Sequence, residues 1–133
     1  NLVALRLNNN KFKSLPKEIT RLKKLEVLDV GNNYLETLPE NIGDLATLRL
    51  LFINRNLLLS IPASVGKLQK LQELDAVRCG ALRLPNSLSE IWSLENVYID
   101  ERTVPFYQNP RFAWRQKIEV VGREGNVYRP TQN

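Results

Sequence analysis

The chain has 133 residues, of which 43% are hydrophobic and 25% are charged, and its formal net charge is +5. This length suits one domain, and this composition is that of an ordinary globular protein. Histidine is absent and cysteine occurs once, which excludes histidine-based catalysis, imidazole metal ligands and an internal disulfide.

A pattern of apolar residues returns every 23 positions along most of the chain. Each of the first three units opens on Leu-x-x-Leu-x-(Leu, Val or Ile), reaches an asparagine, and closes on a Leu-Pro or Ile-Pro return segment. The shared asparagines are Asn10, Asn33 and Asn56. A fourth unit, 71–92, has Cys79 in place of the asparagine, and a fifth begins at Leu94 and then departs. Self-similarity at a fixed period of this length predicts a solenoid, in which each unit packs on its neighbours.

Each unit is predicted to contain one strand and one short helical turn. The alternation Leu5-Arg6-Leu7 predicts a short strand with alternate residues inward, and stacked units pair these strands into a parallel sheet. The asparagine that follows is expected inside the solenoid, where it bonds backbone groups, with Cys79 as a buried structural substitute. The return segment predicts a helical turn on the convex side, with a proline such as Pro16 just inside its start. The predicted fold class is therefore α/β, a solenoid with a parallel concave sheet and short 3₁₀ or α turns on the convex side.

The repeat pattern fails after Ile99. The aromatic residues that follow are predicted to form a lid over the last exposed core, with Trp92 packed beneath it. These aromatic residues are Phe106, Tyr107, Phe112 and Trp114. Segments 117–121 and 127–129 flank a polar, glycine-containing stretch and predict a hairpin. We therefore divide the chain into repeats at 1–104, with four full units and a partial fifth, and a C-terminal cap and tail at 105–133.

Residues between the inward-facing leucines are predicted to point to solvent on the concave sheet, in columns that cross the units. Leu50, Phe52 and Val77 are apolar at positions where the repeat does not require it, which is typical of an interface hot spot. Single exposed apolar residues are common on monomers, so it is their clustering that favours a binding patch. The predicted partner-binding residues on the concave face are Arg6, Asp29, Leu50, Phe52, Asn54, Arg55, Asp75, Val77, Arg78 and Tyr98.

Two carboxylates, Asp29 and Asp75, are predicted to share one concave column on alternate units. Two strand spacings place their backbones roughly 10 Å apart, near the upper limit for an inverting glycosidase pair. An open concave surface offers no pocket to raise the pKa of either group. We therefore predict no enzymatic activity, no cofactor and no small-molecule substrate.

The Leu-Pro unit of 23 residues resembles the Ras-group leucine-rich repeats, the class found in Scribble, Erbin and plant intracellular Ras-group proteins. The resemblance covers residues 2–99. It implies a non-catalytic scaffold, or interaction module, that binds a protein partner on the concave face. An alternative is a structural subunit of a large multiprotein assembly, held through the basic C-terminal tail. Binding of nucleic acid through the basic ends is the least favoured of the three interpretations.

The sequence also indicates a cellular location. No apolar run is long enough to span a bilayer, and no signal-peptide core is visible. A single cysteine without a cysteine-rich cap favours a reducing, intracellular compartment, the cytoplasm. The chain contains no methionine and starts directly before the first leucine of a unit, so we expect it to be part of a longer chain or complex.

Overall fold

A computed structural model describes residues 1–103, 117–121 and 127–128. Its strands are β1 (Ala4–Arg6), β2 (Val27–Asp29), β3 (Leu50–Phe52), β4 (Glu73–Asp75), β5 (Asn96–Asp100), β6 (Lys117–Val121) and β7 (Val127–Tyr128). They form one sheet in chain order, with parallel pairing from β1 to β6 and antiparallel pairing between β6 and β7. The predicted solenoid with a parallel sheet is confirmed.

The convex side is built from short 3₁₀ helices. They are η1 (Lys17–Arg21), η2 (Ile42–Asp44), η3 (Ala63–Lys67) and η4 (Asn86–Glu90). The proline position was predicted wrongly: Pro16, Pro62 and Pro85 lie immediately before their helices, not inside them. Their carbonyl groups accept the first hydrogen bond of each helix, for example from the Ile19 amide to Pro16 at 3.1 Å. Short connecting segments of this kind commonly adopt the 3₁₀ conformation, which is tighter than the α-helix.

One continuous core lies between the sheet and the 3₁₀ helices. Leu25, Leu48 and Leu71 occupy equivalent positions in successive units and are fully buried. Each such side chain contributes about 1.5–3 kcal/mol relative to an exposed one. The equivalent Leu2 is 45% exposed, because β1 is the edge strand among the described residues and no described strand is stacked before it. The core is therefore shared between units, as the repeat predicts.

The predicted asparagine ladder is present inside the solenoid. The side-chain amide of Asn33 donates to the carbonyl oxygens of Leu7 and Val30, each at 3.0 Å. Its oxygen accepts from the Phe12 amide at 3.1 Å. Asn56 makes the equivalent bonds one unit later and is also buried. Each asparagine thus pairs backbone groups of two successive units that the sheet leaves unpaired.

The ladder changes at its two ends. The prediction that Asn10 also lies inside the solenoid is wrong: it is exposed, and its amide donates to backbone carbonyls of its own turn, those of Leu7 and Asn8. Cys79 is buried as predicted, and its thiol donates to the Ile53 carbonyl at 3.1 Å. Burial raises the pKa of the Cys79 thiol to about 11. A protonated thiol therefore replaces the asparagine in the fourth unit.

The fourth unit departs from the pattern just after Cys79. Gly80 adopts a φ of +71°, and the residue that fills the core is then Leu82, which is fully buried. The equivalent core position of the earlier units aligns with Ala81, which is exposed. The shifted segment stays attached to the previous unit by a parallel bridge between Ser60 and Arg83.

The C-terminal region continues the sheet. The predicted strand pair is present as β6 and β7, and β6 adds to the edge of β5 over five residue pairs. Trp92 is 77% exposed, so the prediction that this side chain is packed beneath other residues is wrong. The aromatic residues predicted to form that lid, at 106, 107, 112 and 114, lie outside the described residues. The division at 104–105 therefore stays a prediction.

Candidate concave interface

The strand register places the predicted columns side by side. Leu50 pairs with Val27 on one side and Glu73 on the other. Phe52 lies in the same way between Asp29 and Asp75. Parallel strands are about 4.8 Å apart, so each column is a row of side chains at that spacing. β3, at the middle of the repeats, therefore carries the apolar part of this face.

We call Leu50, Phe52 and Val77 the concave patch. All three are half-buried, while the residues that alternate with them on the strand, such as Leu51, are fully buried. The half-buried Val27, which pairs with Leu50, extends the patch onto β2. The inward residues already fill the core, so these apolar groups are not needed there.

Two carboxylates border Phe52, and both are held by local hydrogen bonds. Asp29 accepts from the Gly31 amide at 3.0 Å, and Asp75 accepts from the Val77 amide at 3.3 Å. Burial raises the pKa of the Asp75 carboxyl above its usual value, although its hydrogen bonds and the Arg55 charge act in the opposite direction. The prediction that the open surface would raise neither pKa is therefore wrong for Asp75. Each carboxylate therefore stabilises the turn that leaves its strand, a structural role that the residue pattern alone did not indicate.

Asn54 is fixed between two units. Its amide donates to Asp75 Oδ2 at 3.1 Å. A Cβ on Gly31, in the preceding unit, would lie 2.8 Å from the Asn54 side-chain oxygen. Glycine at position 31 therefore leaves the space in which Asn54 lies. The predicted site residues Asn54 and Asp75 act as one hydrogen-bonded pair.

The strand exit, the turn that follows each of the strands β1 to β4, has a backbone conformation that the sequence did not reveal. Asn9, Asn32, Arg55 and Arg78 all have φ between 52° and 61°. Asparagine tolerates the left-handed region well, whereas other side chains pay about 1–2 kcal/mol there. The hydrogen bond from the Arg78 amide to Asp100 Oδ2, at 2.6 Å, helps to hold this turn. The two arginines are consequently presented, exposed, at equivalent points of adjacent units.

The remaining predicted residues lie toward the two ends of the repeats. Arg6 is exposed on β1, two strands from Phe52. Tyr98 is half-buried on β5, and its hydroxyl donates to Glu73 Oε1 at 3.4 Å. All ten predicted residues thus lie on the concave sheet or its exit. Those on β3 and β4 form the compact centre.

The concave face carries no sign of a metal centre within the described part of the chain. Across residues 1–103, 117–121 and 127–128, no group of three or more histidine, cysteine, aspartate or glutamate residues is arranged to hold a metal ion. No helix in the same ranges is long and apolar enough to cross a bilayer.

Several solved structures are similar to this chain, and three of them are the following. A leucine-rich repeat protein of Leptospira interrogans has a TM-score of 0.72 and 28% identity, over 89% of this chain and 30% of its own. The leucine-rich repeat domain of the type III effector XopL has a TM-score of 0.64, over 90% and 51%, and its 20% identity shows the fold alone. The plant peptide hormone receptor RGFR1, in complex with RGF2, has a TM-score of 0.57 and 26% identity, over 82% and 23%. The chain thus spans about half or less of each.

No curated protein matches the chain. The family model described as a leucine-rich repeat region matches residues 1–105, most of the chain. Proteins with this fold generally mediate protein–protein interactions and are typically non-catalytic. With its repeated units, parallel sheet and asparagine ladder, the chain belongs to the leucine-rich repeat family.

Proposed function

We propose that this chain is a non-catalytic interaction module, in the manner of a scaffold, that binds a protein partner on its concave face. The observation that carries this proposal is the concave patch. Leu50, Phe52 and Val77 are half-buried apolar residues at the middle of the repeats, at positions that the core does not use. Apolar groups clustered where a partner can exclude water are the usual centre of an interface.

The charges around the patch favour a protein over a nucleic acid. Asp29 and Asp75 pair with Phe52 from the two neighbouring strands, and Glu73 pairs with Leu50. These carboxylates repel phosphate groups, whose attraction dominates nucleic-acid binding. A partner residue seated on Phe52 would instead have carboxylate acceptors one strand spacing away on both sides. We therefore expect an apolar or aromatic anchor accompanied by hydrogen-bond donors.

Two further considerations support the proposal. One similar structure is a plant peptide hormone receptor in complex with RGF2, so a similar fold is found in a protein that binds a ligand. The resemblance to Ras-group repeats points to intracellular scaffolding, and the single cysteine, free and buried, suits the proposed cytoplasmic location. The alternative, a subunit held through its basic tail, depends on arginines at 111, 115, 123 and 129, which lie outside the described residues.

Site-specific photo-cross-linking tests the proposal. p-Benzoylphenylalanine would replace Phe52 in one protein and Lys17, an exposed convex residue, in the other. After irradiation in an extract of the source organism, we expect position 52 to cross-link a small set of proteins that position 17 does not. Excess unmodified chain should compete with this cross-linking. Identical patterns from the two positions, or specific products from position 17 alone, would refute concave binding.

A further inference from the structure

A second exposed apolar surface lies outside the concave face. We call it the exit edge, because it follows the ladder residue of each unit, beyond the end of the strand. Its members are Phe12, Tyr34, Leu57 and Leu59, which are 40%, 50%, 57% and 74% exposed. Among the described residues, the other large exposed hydrophobic side chains are Leu2, Val3 and Trp92. More than half of this set is therefore gathered in one strip of three successive units.

Backbone hydrogen bonds stack this strip from unit to unit. The Tyr34 amide donates to the Phe12 carbonyl at 2.8 Å. The Leu57 amide donates at 2.9 Å to Leu35, the residue directly after Tyr34. The Leu59 carbonyl then accepts from the Arg83 amide at 2.9 Å. The exposed side chains consequently project from an ordered backbone, and a partner would bind them without first ordering a loop.

The core does not require Tyr34, Leu57 or Leu59, whereas Phe12 is the first unit's equivalent of the core residues Leu35 and Leu58. Leu35 and Leu58 supply the buried contact of this segment, at 0% and 1% exposure. At the position of Tyr34 and Leu57, the first unit has Lys11 and the fourth has Gly80, so the repeat accommodates a charge or no side chain there. Contiguous exposed apolar residues at positions the fold leaves open are typical of interaction sites.

The polar residues around the strip are mostly cationic. The exposed cations within it or at its border are Lys11, Lys13, Arg55 and Arg83, against one exposed carboxylate, Glu36. The salt bridge found among the described residues joins Arg49 to Glu26, before β3 and β2, on the strand-entry side. The exit edge thus combines apolar contact area with a positive potential, whereas the centre of the concave face is lined by carboxylates.

We propose that the exit edge is a second docking surface, which binds an acidic segment of a protein partner. Apolar side chains of that segment would pack on Tyr34, Leu57 and Leu59, and its carboxylates would pair with the surrounding lysines and arginines. Charge complementarity selects this occupant, since opposite potentials steer and align partners. Glu36, within the strip, would repel a uniformly anionic bilayer. The same carboxylate can accept a hydrogen bond from a single donor group of a peptide. This surface is independent of the concave patch and would let the chain hold two segments at once.

Peptide selection on the whole chain tests the docking surface. Short random peptides displayed on phage are selected against the protein, and the affinities of synthetic copies are measured by fluorescence anisotropy. We expect a class of peptides rich in Asp and Glu with Leu or aromatic residues. A double variant, Leu57→Ser with Leu59→Ser, should weaken that class by at least about tenfold, and Lys11→Ala with Lys13→Ala should weaken it most at low salt.

The controls separate this surface from the concave one. Phe52→Ala should leave the acidic peptides unaffected, and an unchanged melting temperature of the double variant shows that the fold is intact. The proposal is overturned if selection gives no acidic class, or if Phe52→Ala alone weakens the selected peptides. It is equally overturned if the chain binds no peptide and the double variant instead abolishes one of two other interactions. These are self-association in ultracentrifugation and co-sedimentation with phosphatidylserine vesicles. Loss of concave binding leaves these outcomes unchanged, so the two proposals fail separately.

Discussion

At the scale of single residues, the asparagine ladder provides a matched pair of positions. Asn33 is buried and bonds backbone groups of two units, whereas Asn10 is exposed and bonds its own turn. We expect Asn33→Ala to lower the free energy of unfolding by about 1–3 kcal/mol, because buried backbone groups lose their partner. Asn10→Ala should cost less than about 1 kcal/mol, since water can replace its bonds. Urea denaturation of both variants checks this, and equal losses would show that burial in the ladder adds nothing to stability.

The Cys79 thiol gives a prediction about pH. Its pKa in the folded chain is about 11, above the ordinary value of 9.0, so the folded state holds the proton more tightly than the unfolded state. Stability should therefore be unaffected below pH 9 and fall as the pH rises toward 11, by about 1.4 kcal/mol per pH unit between these two values. Cys79→Ala should lack this component when unfolding is followed from pH 8 to 11. Parallel curves for the two proteins would contradict the buried, protonated thiol.

Single residues also show where sequence reasoning succeeds and fails. Asn33, Asn56 and Cys79 were identified as buried because an inward position recurs at a fixed offset, but the same reasoning failed for Asn10, which is exposed. The left-handed conformation of Arg55 and Arg78 was missed, because arginine has no preference for it and the surrounding turn imposes it. In the fourth unit, the shift of the core position to Leu82 depends on the φ of Gly80, which the repeat pattern does not encode.

At the scale of elements, the 3₁₀ helices pack so closely that glycine is required between them. A Cβ on Gly43, in η2, would lie 2.0 Å from the Ser64 carbonyl oxygen in η3. Gly43→Ala should therefore destabilise the fold by about 3 kcal/mol or more, because backbone must move. Gly80→Ala is the matched control: its added methyl meets open space, and only its positive φ should cost about 1 kcal/mol. The melting temperatures of the two variants test this prediction. A larger decrease for Gly80→Ala than for Gly43→Ala would contradict the close packing of the helices.

Element positions were largely predictable and their edges were not. Strand register follows from the period, since Leu50 must pair with Val27 if inward residues are to share one core. The columns of the candidate site could be predicted for the same reason. The hydrogen bonds of Asp29 and Asp75 to amides two residues later are local turn geometry, which a periodic pattern leaves open. Neither the repeat period nor the turn geometry determines whether a partner binds these columns.

At the scale of the whole molecule, the C-terminal strands protect the end of the solenoid. β6 pairs with β5 over five residues, from Asn96 to Asp100. Deleting residues 105–133 would expose the β5 edge and the last repeat, because terminal repeats need a cap. We expect aggregation, or loss of a single cooperative transition in circular dichroism and sedimentation. A soluble truncation that unfolds cooperatively would make the tail dispensable for the fold.

Phe52 provides the most direct test of whether the concave face binds the partner. For the protein captured at position 52, titration calorimetry would compare the unaltered chain with Phe52→Ala and Lys17→Ala. We predict that Phe52→Ala weakens binding by at least ~2 kcal/mol, about 30-fold in Kd, because a central aromatic residue contributes more than rim charges. Its melting temperature should be nearly unchanged, and Lys17→Ala should bind normally. If Lys17→Ala weakens binding and Phe52→Ala does not, the convex surface is the one that binds.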